Sequence, residues 1–171
     1  MSLVLRAARE EDAAALADIA RATFFETFGH LYSAADSAAY AAATYGEAIQ
    51  RREIADPETA HCLAFEEGAL IGFAKAGAYK LPMPVQDARP YELHRLYLRA
   101  EAKGRGVADA LMEWTLARAH DAGADAIYLG VYQHNARAQR FYARHGFVQV
   151  GSYFFAVGAA RDPEFILRRP R

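Results

Sequence analysis

Apolar and polar positions change period along the chain, and the changes mark the elements. "LVLRAA" (Leu3–Ala8) is short and apolar-rich and predicts a first strand. "REEDAAALADIARATFFETF" follows, with Leu16, Ile19, Ala20 and Thr23 at helical spacing and its acidic residues at the front, where a helix dipole favours them. "SAADSAAYAAATYG" and "EAIQRREIAD" predict two short helices, parted at Gly46 and ended by Pro57. The period then switches. "HCLAFEEGALIGFAKAGAYK" predicts two strands about a tight turn at Glu67-Gly68, and "LPMPVQDARP", with three prolines, predicts a loop. "YELHRLYL" is a strand. "GRGVADALMEWTLARAHDAG" is an amphipathic helix stopped by Gly123. "AIYLGVY" carries no charge, which predicts a strand buried on both faces. "HNARAQRFYARHGF" is a short helix, with Asn135 as its N-cap and Gly146 as a left-handed stop. "FVQVGSYFFAVG" and "EFILRR" close the chain as a hairpin. Seven strands alternate with helices, which predicts one α/β domain over residues 1–171, with a mixed sheet.

Composition narrows the class. With 171 residues, 53% of them apolar, the chain has material for a real core. A net charge of −1 argues against broad binding to nucleic acid or an anionic membrane. The single cysteine, Cys62, excludes an internal disulfide and a cysteine zinc cage; on a strand it is expected to be buried and inert. His30, His61, His120, His134 and His145 show no metal-ligand spacing and are expected at the surface or at caps, so no metal is expected. No apolar run is long enough to span a bilayer and the start lacks a signal-peptide pattern, so the expected location is cytoplasmic.

Two stretches carry candidate chemistry. "KGRGVADALM" follows a strand and opens a helix. Glycines there remove the Cβ atoms that hold an anion away from the first-turn N–H groups, and Lys103 and Arg105 add positive charge. It is not a P-loop, because no Gly-Lys-Ser/Thr follows, and the dinucleotide fingerprint fails at Asp109. In "HNARAQRFYARHGF", Phe141 and Tyr142 point about 100° apart, so only one can lie fully in the core. Asn135 falls at the carboxyl end of a strand, where open α/β sheets bind ligands.

The two stretches together resemble the GNAT superfamily of acetyl-CoA-dependent N-acetyltransferases. The family pattern Arg/Gln-x-x-Gly-x-Gly/Ala reads here Lys103-x-x-Gly106-x-Ala108, with Lys in place of the usual Arg or Gln. The pattern Asn-x-x-Ala-x-x-Phe-Tyr-x-x-x-Gly-Phe is complete from Asn135 to Phe147. "ATFFETFGHLY" and "GSYFFAVG" also resemble the bacterial spermidine/spermine acetyltransferase branch. The resemblance implies the GNAT fold: an α/β (in some schemes α+β) domain with a mixed, mostly antiparallel sheet of six to seven strands flanked by helices.

The resemblance also implies roles. The cofactor pyrophosphate would lie on Lys103, Gly104, Arg105, Gly106, Val107 and Ala108. The pantetheine arm would pair with the strand Leu96-Tyr97-Leu98, with the Leu96 N–H polarising the thioester carbonyl and Asn135 on the other side. Glu92 is the first choice for the base and His94, two residues on, the second; Arg95 is expected on the opposite face, away from Glu92. Tyr142 would protonate the departing thiolate while Phe141 packs. The expected acceptor is a small primary amine, a polyamine in the finer reading, docking beside Glu26, Asp36, Tyr32, Tyr40 and Tyr45. The alternatives are a peptide or protein acceptor, with the prolines at 82, 84 and 90 lining or closing its groove, and a sensor that binds acyl-CoA without catalysis. The aromatic "SYFFAV" segment is a candidate homodimer face.

Overall fold

The structure is a computed structural model describing residues 2–171. Its elements run β1 (Leu3–Ala7), α1 (Ala13–Phe28), α2 (Ala34–Tyr45), α3 (Glu47–Ala55), β2 (Thr59–Glu66), β3 (Ala69–Ala78), β4 (Pro90–Leu98), α4 (Val107–Asp121), β5 (Ala126–Tyr132), α5 (Ala136–Arg144), β6 (Val148–Val157) and β7 (Ala160–Pro170). The strands form one sheet in the order β1-β2-β3-β4-β5-β7-β6. All neighbours are antiparallel except β4 and β5, so the expected mixed, mostly antiparallel sheet holds.

Local chemistry sets the boundaries. Glu67 (φ 50°) and Gly68 (φ 81°) both take left-handed backbone, as a two-residue hairpin turn of type I′ requires. Ser33 caps α2 by accepting from the Asp36 N–H at 3.1 Å. The acidic front of the first helical stretch forms a separate single turn, Glu10–Asp12, and Asp12 is clamped by Arg6 at 2.7 and 2.8 Å.

Strand alternation divides the core between the two faces of the sheet. Leu63 and Phe73 point to one side and meet Leu16, Ile19, Phe24 and Tyr45. Cys62, Ala64 and Ala74 point to the other and meet Leu111 and Met112 of α4, with Leu129 and Val131 of β5. β5 is buried along most of its length, as its uncharged sequence predicts. Cys62 is fully buried, and burial pushes its thiol up to about 12, so it stays protonated and unreactive at neutral pH.

One junction in the sheet is incomplete. β4 and β5 pair only at Pro90–Ala126, Tyr91–Ile127 and Glu92–Tyr128, although β4 runs on to Leu98 and β5 to Tyr132. Beyond Glu92 each strand stays paired on its outer side, β4 with β3 and β5 with β7. The parting coincides with a bulge. Lys75 faces Arg95 and Ala76 faces Leu93, which leaves His94 as the extra residue of β4. A bulge bends its strand and increases its twist, and here it turns the C-terminal half of β4 away from β5.

Candidate active site

A cavity of about 540 Å³ occupies the wedge between the parted strands. Its walls are β4 from Leu93 to Leu98, β5 from Gly130 to Tyr132, the turn before α4, and the inner face of α5. One hydrogen bond fixes the backbone direction. The Arg99 N–H donates to Ile71 O of β3 at 2.9 Å. Backbone groups of successive strand residues point to opposite edges, so those of Tyr97 also face β3, while those of Leu96 and Leu98 face the wedge. An extended ligand lying there would meet strand donors and acceptors that β5 no longer pairs.

The turn below the wedge presents backbone donors without partners. Gly104 and Gly106 both have φ +80°, a left-handed conformation costly for residues with a Cβ. The first backbone bond of α4 runs from the Ala110 N–H to Gly106 O at 3.0 Å. The earlier first-turn amides therefore have no acceptor within the helix, and no side chain caps them. Lys103, Gly104, Gly106 and Ala108 line the cavity. Arg105 points elsewhere: its guanidinium pairs with Glu66 of β2 at 2.6 Å. Val107 is buried in the core, so only its backbone can serve the turn. Arg137 and Arg144 of α5 line the same cavity and add positive charge that the glycine motif did not reveal. Asp109 is turned toward α5, where its Oδ1 meets His145 Nε2 at 2.9 Å and Arg144 at 3.9 Å, which offsets its charge.

Helix α5 forms the opposite wall. The Asn135 Oδ1 accepts from the Ala138 N–H at 3.1 Å, and Gly146 stops the helix at φ +83°. Neither Phe141 nor Tyr142 lies fully in the core. Both are half-buried and both line the cavity, with Phe141 also packed against His145 and the Arg144 guanidinium. Burial, with the charge of Glu164 second, holds the Tyr142 hydroxyl proton tightly. No protein group among the described residues hydrogen-bonds that hydroxyl.

A second cavity of about 200 Å³ lies on the α1–α2 side of the sheet. The two cavities share Phe28, His94, Arg95, Tyr97, Gly130, Tyr132 and Glu164, so the wedge is a passage through the sheet. Tyr32, Tyr40 and Tyr45 line the second cavity. Its carboxylates, however, are Glu92, Asp162 and Glu164, all from the sheet. Neither Glu26 nor Asp36 lines it: Glu26 is exposed on α1, and the Asp36 carboxylate packs against Gly158 in the β6–β7 turn. The proline loop is pinned on the sheet through Tyr79, Leu81, Met83 and Val85 and closes one end of this cavity.

Glu92 is buried, and burial raises its carboxyl above the ordinary value. Its Oε2 accepts from the Lys80 N–H at 2.6 Å. The His94 Nε2–H donates to Ala78 O at 2.8 Å and lies 3.9 Å from Glu92 Oε2. Burial depresses the His94 imidazole to about 4, so it is neutral at pH 7. Arg95 departs from expectation. The bulge at His94 breaks the strand alternation, and Arg95 lines the same cavity as Glu92. It does not pair with Glu92; Glu53 of α3 holds both Arg95 (3.3 Å) and Lys75 (2.7 Å). His61 is a further departure: it is buried beside Glu53 and Lys75, and burial depresses it to about 4.

Glu164 was not singled out by the sequence. It lies opposite Tyr132 on β5 and Tyr153 on β6, and its Oε2 accepts from the Tyr153 hydroxyl at 2.6 Å. Gly130 makes room for this pair: a Cβ there would stand 2.7 Å from both Glu164 Oε2 and the Tyr153 hydroxyl. The Tyr32 hydroxyl donates to Asp162.

A parted parallel pair over a glycine-rich helix start, with a second cavity behind it, describes an enzyme that brings two ligands together through a sheet. The model of the acetyltransferase (GNAT) family matches residues 13–147. An uncharacterized N-acetyltransferase of Mycobacterium tuberculosis (strain ATCC 25618 / H37Rv) is 35% identical over 159 residues, covering 92% of this chain and 97% of the relative. Another, from Lactobacillus delbrueckii subsp. lactis, is 29% identical over 160 residues, covering 94% and 92%. The fold is similar to that of the PaiA N-acetyltransferase of Thermoplasma acidophilum, solved in complex with coenzyme A. The TM-score is 0.82 at 23% identity, with 100% of both chains covered. The chain belongs to the GNAT acetyltransferase family and is an N-acetyltransferase.

Proposed function

We propose that the chain transfers the acetyl group of acetyl-CoA to a small primary amine, a polyamine in its finer reading. The carrying observation is the passage: a wedge with an anion-binding turn at one end opens into a carboxylate-lined cavity on the far side of the sheet. The donor's pyrophosphate would rest on the turn from Lys103 to Ala108, its contacts coming from backbone amides, Lys103 and the α5 arginines. The donor's arm would pair with the wedge-facing groups of Leu96 and Leu98 past Tyr97, with Asn135 across from it. The Leu96 N–H would then polarise the thioester carbonyl.

An alkylammonium has a pKa near 10.4, so at pH 7 only about one molecule in a few thousand is the neutral nucleophile. The proton leaves into the acceptor cavity, where Glu92 receives it through water. His94, neutral with its Nε2–H bound to Ala78 O, is the second candidate. The nitrogen attacks the thioester carbonyl, and the tetrahedral intermediate expels the thiolate, which Tyr142 protonates. A polyamine is supported by Asp162 and Glu164. They stand two apart on one strand, about 6.8 Å along the chain, a spacing that suits two ammonium groups separated by a few methylenes. The pinned proline loop supports a small acceptor over a peptide. Thiol release with spermidine, spermine, monoamines and peptides tests the reading. Fastest turnover with a polyamine is expected, and acetyl-CoA binding with no turnover of any acceptor would replace it with the sensor. The Phe154 side chain, 69% exposed on edge strand β6, supports a homodimer through the "SYFFAV" segment.

A further inference from the structure

We propose that Glu164 is the group that meets the reacting ammonium and first takes its proton, with Tyr153 as its positioning residue and Gly130 as the opening that admits it. This rests on the acetyl-transfer reading above. Three observations carry it. Glu164 lines both cavities, whereas Glu92 lines only the acceptor side. Glu92 also has an oxygen committed to the Lys80 amide. Glu164 spends Oε2 on Tyr153, and among the described residues no hydrogen bond uses its Oε1. Finally, β5 carries a glycine where a Cβ would displace the Glu164–Tyr153 pair.

The groups facing Glu164 fit this role. From β6 comes Tyr153, from β7 Asp162, from α5 Tyr142, from β4 Tyr97, and from the α1–α2 side Tyr32 and Tyr40. Across the acceptor cavity stand Glu92, His94, Lys75 and Arg95, and the two cations are held by Glu53. No cation pairs with Glu164 among the described residues. Burial, reinforced by Asp162, raises its carboxyl above the ordinary value, and the Tyr153 hydrogen bond opposes that rise. A carboxyl so placed is a better base than a free one and still ionises.

The protons balance. Of the three on the ammonium, one passes to Glu164, then through water to Glu92, and from there to solvent. One replaces the proton that Tyr142 gives to sulfur, and one stays on the product amide. The N–C bond forms and the C–S bond breaks, with one proton released in all.

The test is the pH–rate profile of Glu164→Gln, Tyr153→Phe and Glu92→Gln, using the amine that the parent turns over fastest. Glu164→Gln is expected to lower kcat by about 10²–10⁴ near neutral pH, with the deficit shrinking toward the amine's own pKa, and to keep the parent's affinity for coenzyme A. Tyr153→Phe removes the donor that favours the carboxylate, so the ascending limb shifts to higher pH. Glu92→Gln is expected to cost less than Glu164→Gln. A Glu164→Gln enzyme with the parent's ascending limb overturns the proposal, as does one with the same deficit at every pH. If that variant fails to fold, an unmoved limb in Tyr153→Phe overturns it. A parent that turns over no amine refutes the acetyl-transfer reading itself, a result distinct from all of these.

Discussion

Gly130→Ala separates geometry from stability at the passage. The new methyl carbon would stand 2.7 Å from Glu164 Oε2 and from the Tyr153 hydroxyl, and 3.2 Å from Tyr153 Cε1. Ordinary contact begins near 3.4 Å, so both oxygens must retreat by about 0.7 Å. They are the ends of side chains and can move without moving a strand. The stability cost is then at the low end of the ~1–3 kcal/mol range for overpacking. Loss of glycine's freedom in the unfolded chain offsets ~0.4–1 kcal/mol of it. Catalysis is less forgiving: a displacement of about 1 Å at a reacting group can cost ~10²-fold, or ~2.7 kcal/mol of barrier. The expected variant melts within a few degrees of the parent, binds coenzyme A normally, and has a kcat lowered about 10- to 100-fold in a thiol-release assay at saturating substrates. In a Glu164→Gln background the same substitution is expected to cost little more, because the group it displaces has already lost its chemistry. A parent-like kcat in Gly130→Ala, or an equal loss in both backgrounds, would refute the reasoning.

Other outcomes follow from the same geometry. Tyr142→Phe is expected to cut kcat by about 10²–10⁴ while leaving coenzyme A affinity nearly unchanged by calorimetry; an enzyme as fast as the parent removes Tyr142 from the mechanism. Glu53→Gln strips the buried Lys75 and Arg95 of their carboxylate. A cost of about 3–5 kcal/mol is expected, a melting point lower by roughly 6–20 °C, and an unchanged melting point would show the pair to be unimportant. The His94 imidazole sits at about 4 in the folded protein against about 6.5 unfolded, so between these values the unfolded chain binds the extra proton. Its contribution to stability is therefore lost as pH falls through that window. His94→Gln, with nothing to titrate there, is expected to lose less urea resistance than the parent between pH 6.5 and 4.

What the sequence disclosed was local. The left-handed turn at Glu67-Gly68, the Asn135 cap, the Gly146 stop and the glycines at 104 and 106 each depend on a few neighbouring residues, and all stand where the pattern puts them. What it hid depends on register. Glu164 reaches the passage because β7 aligns it with Tyr132 on one side and Tyr153 on the other. Nothing within "DPEFIL" encodes that alignment. Strict alternation puts Arg95 on the wrong face because it assumes an unbroken strand, and the bulge at His94 inserts one residue. Glu53 belongs to a helix remote in sequence from Lys75 and Arg95, so its role as their shared partner had no local signal. Arg105 showed its charge but not its direction, which Glu66 fixes from another strand. His61 read as a surface residue because strand β2 is buried on both faces, which single-residue polarity does not report.

The account turns on the wedge between β4 and β5 as the seat of the acetyl donor. Amide hydrogen exchange, followed residue by residue with and without coenzyme A, examines it most directly. The Leu96 and Leu98 amides, which face the wedge, are expected to exchange quickly in the free protein and slowly in the complex, while that of Tyr97, directed at β3, is already slow and changes little. If coenzyme A binds and the Leu96 and Leu98 amides exchange as before, the donor lies elsewhere and the mechanism built on the wedge is wrong.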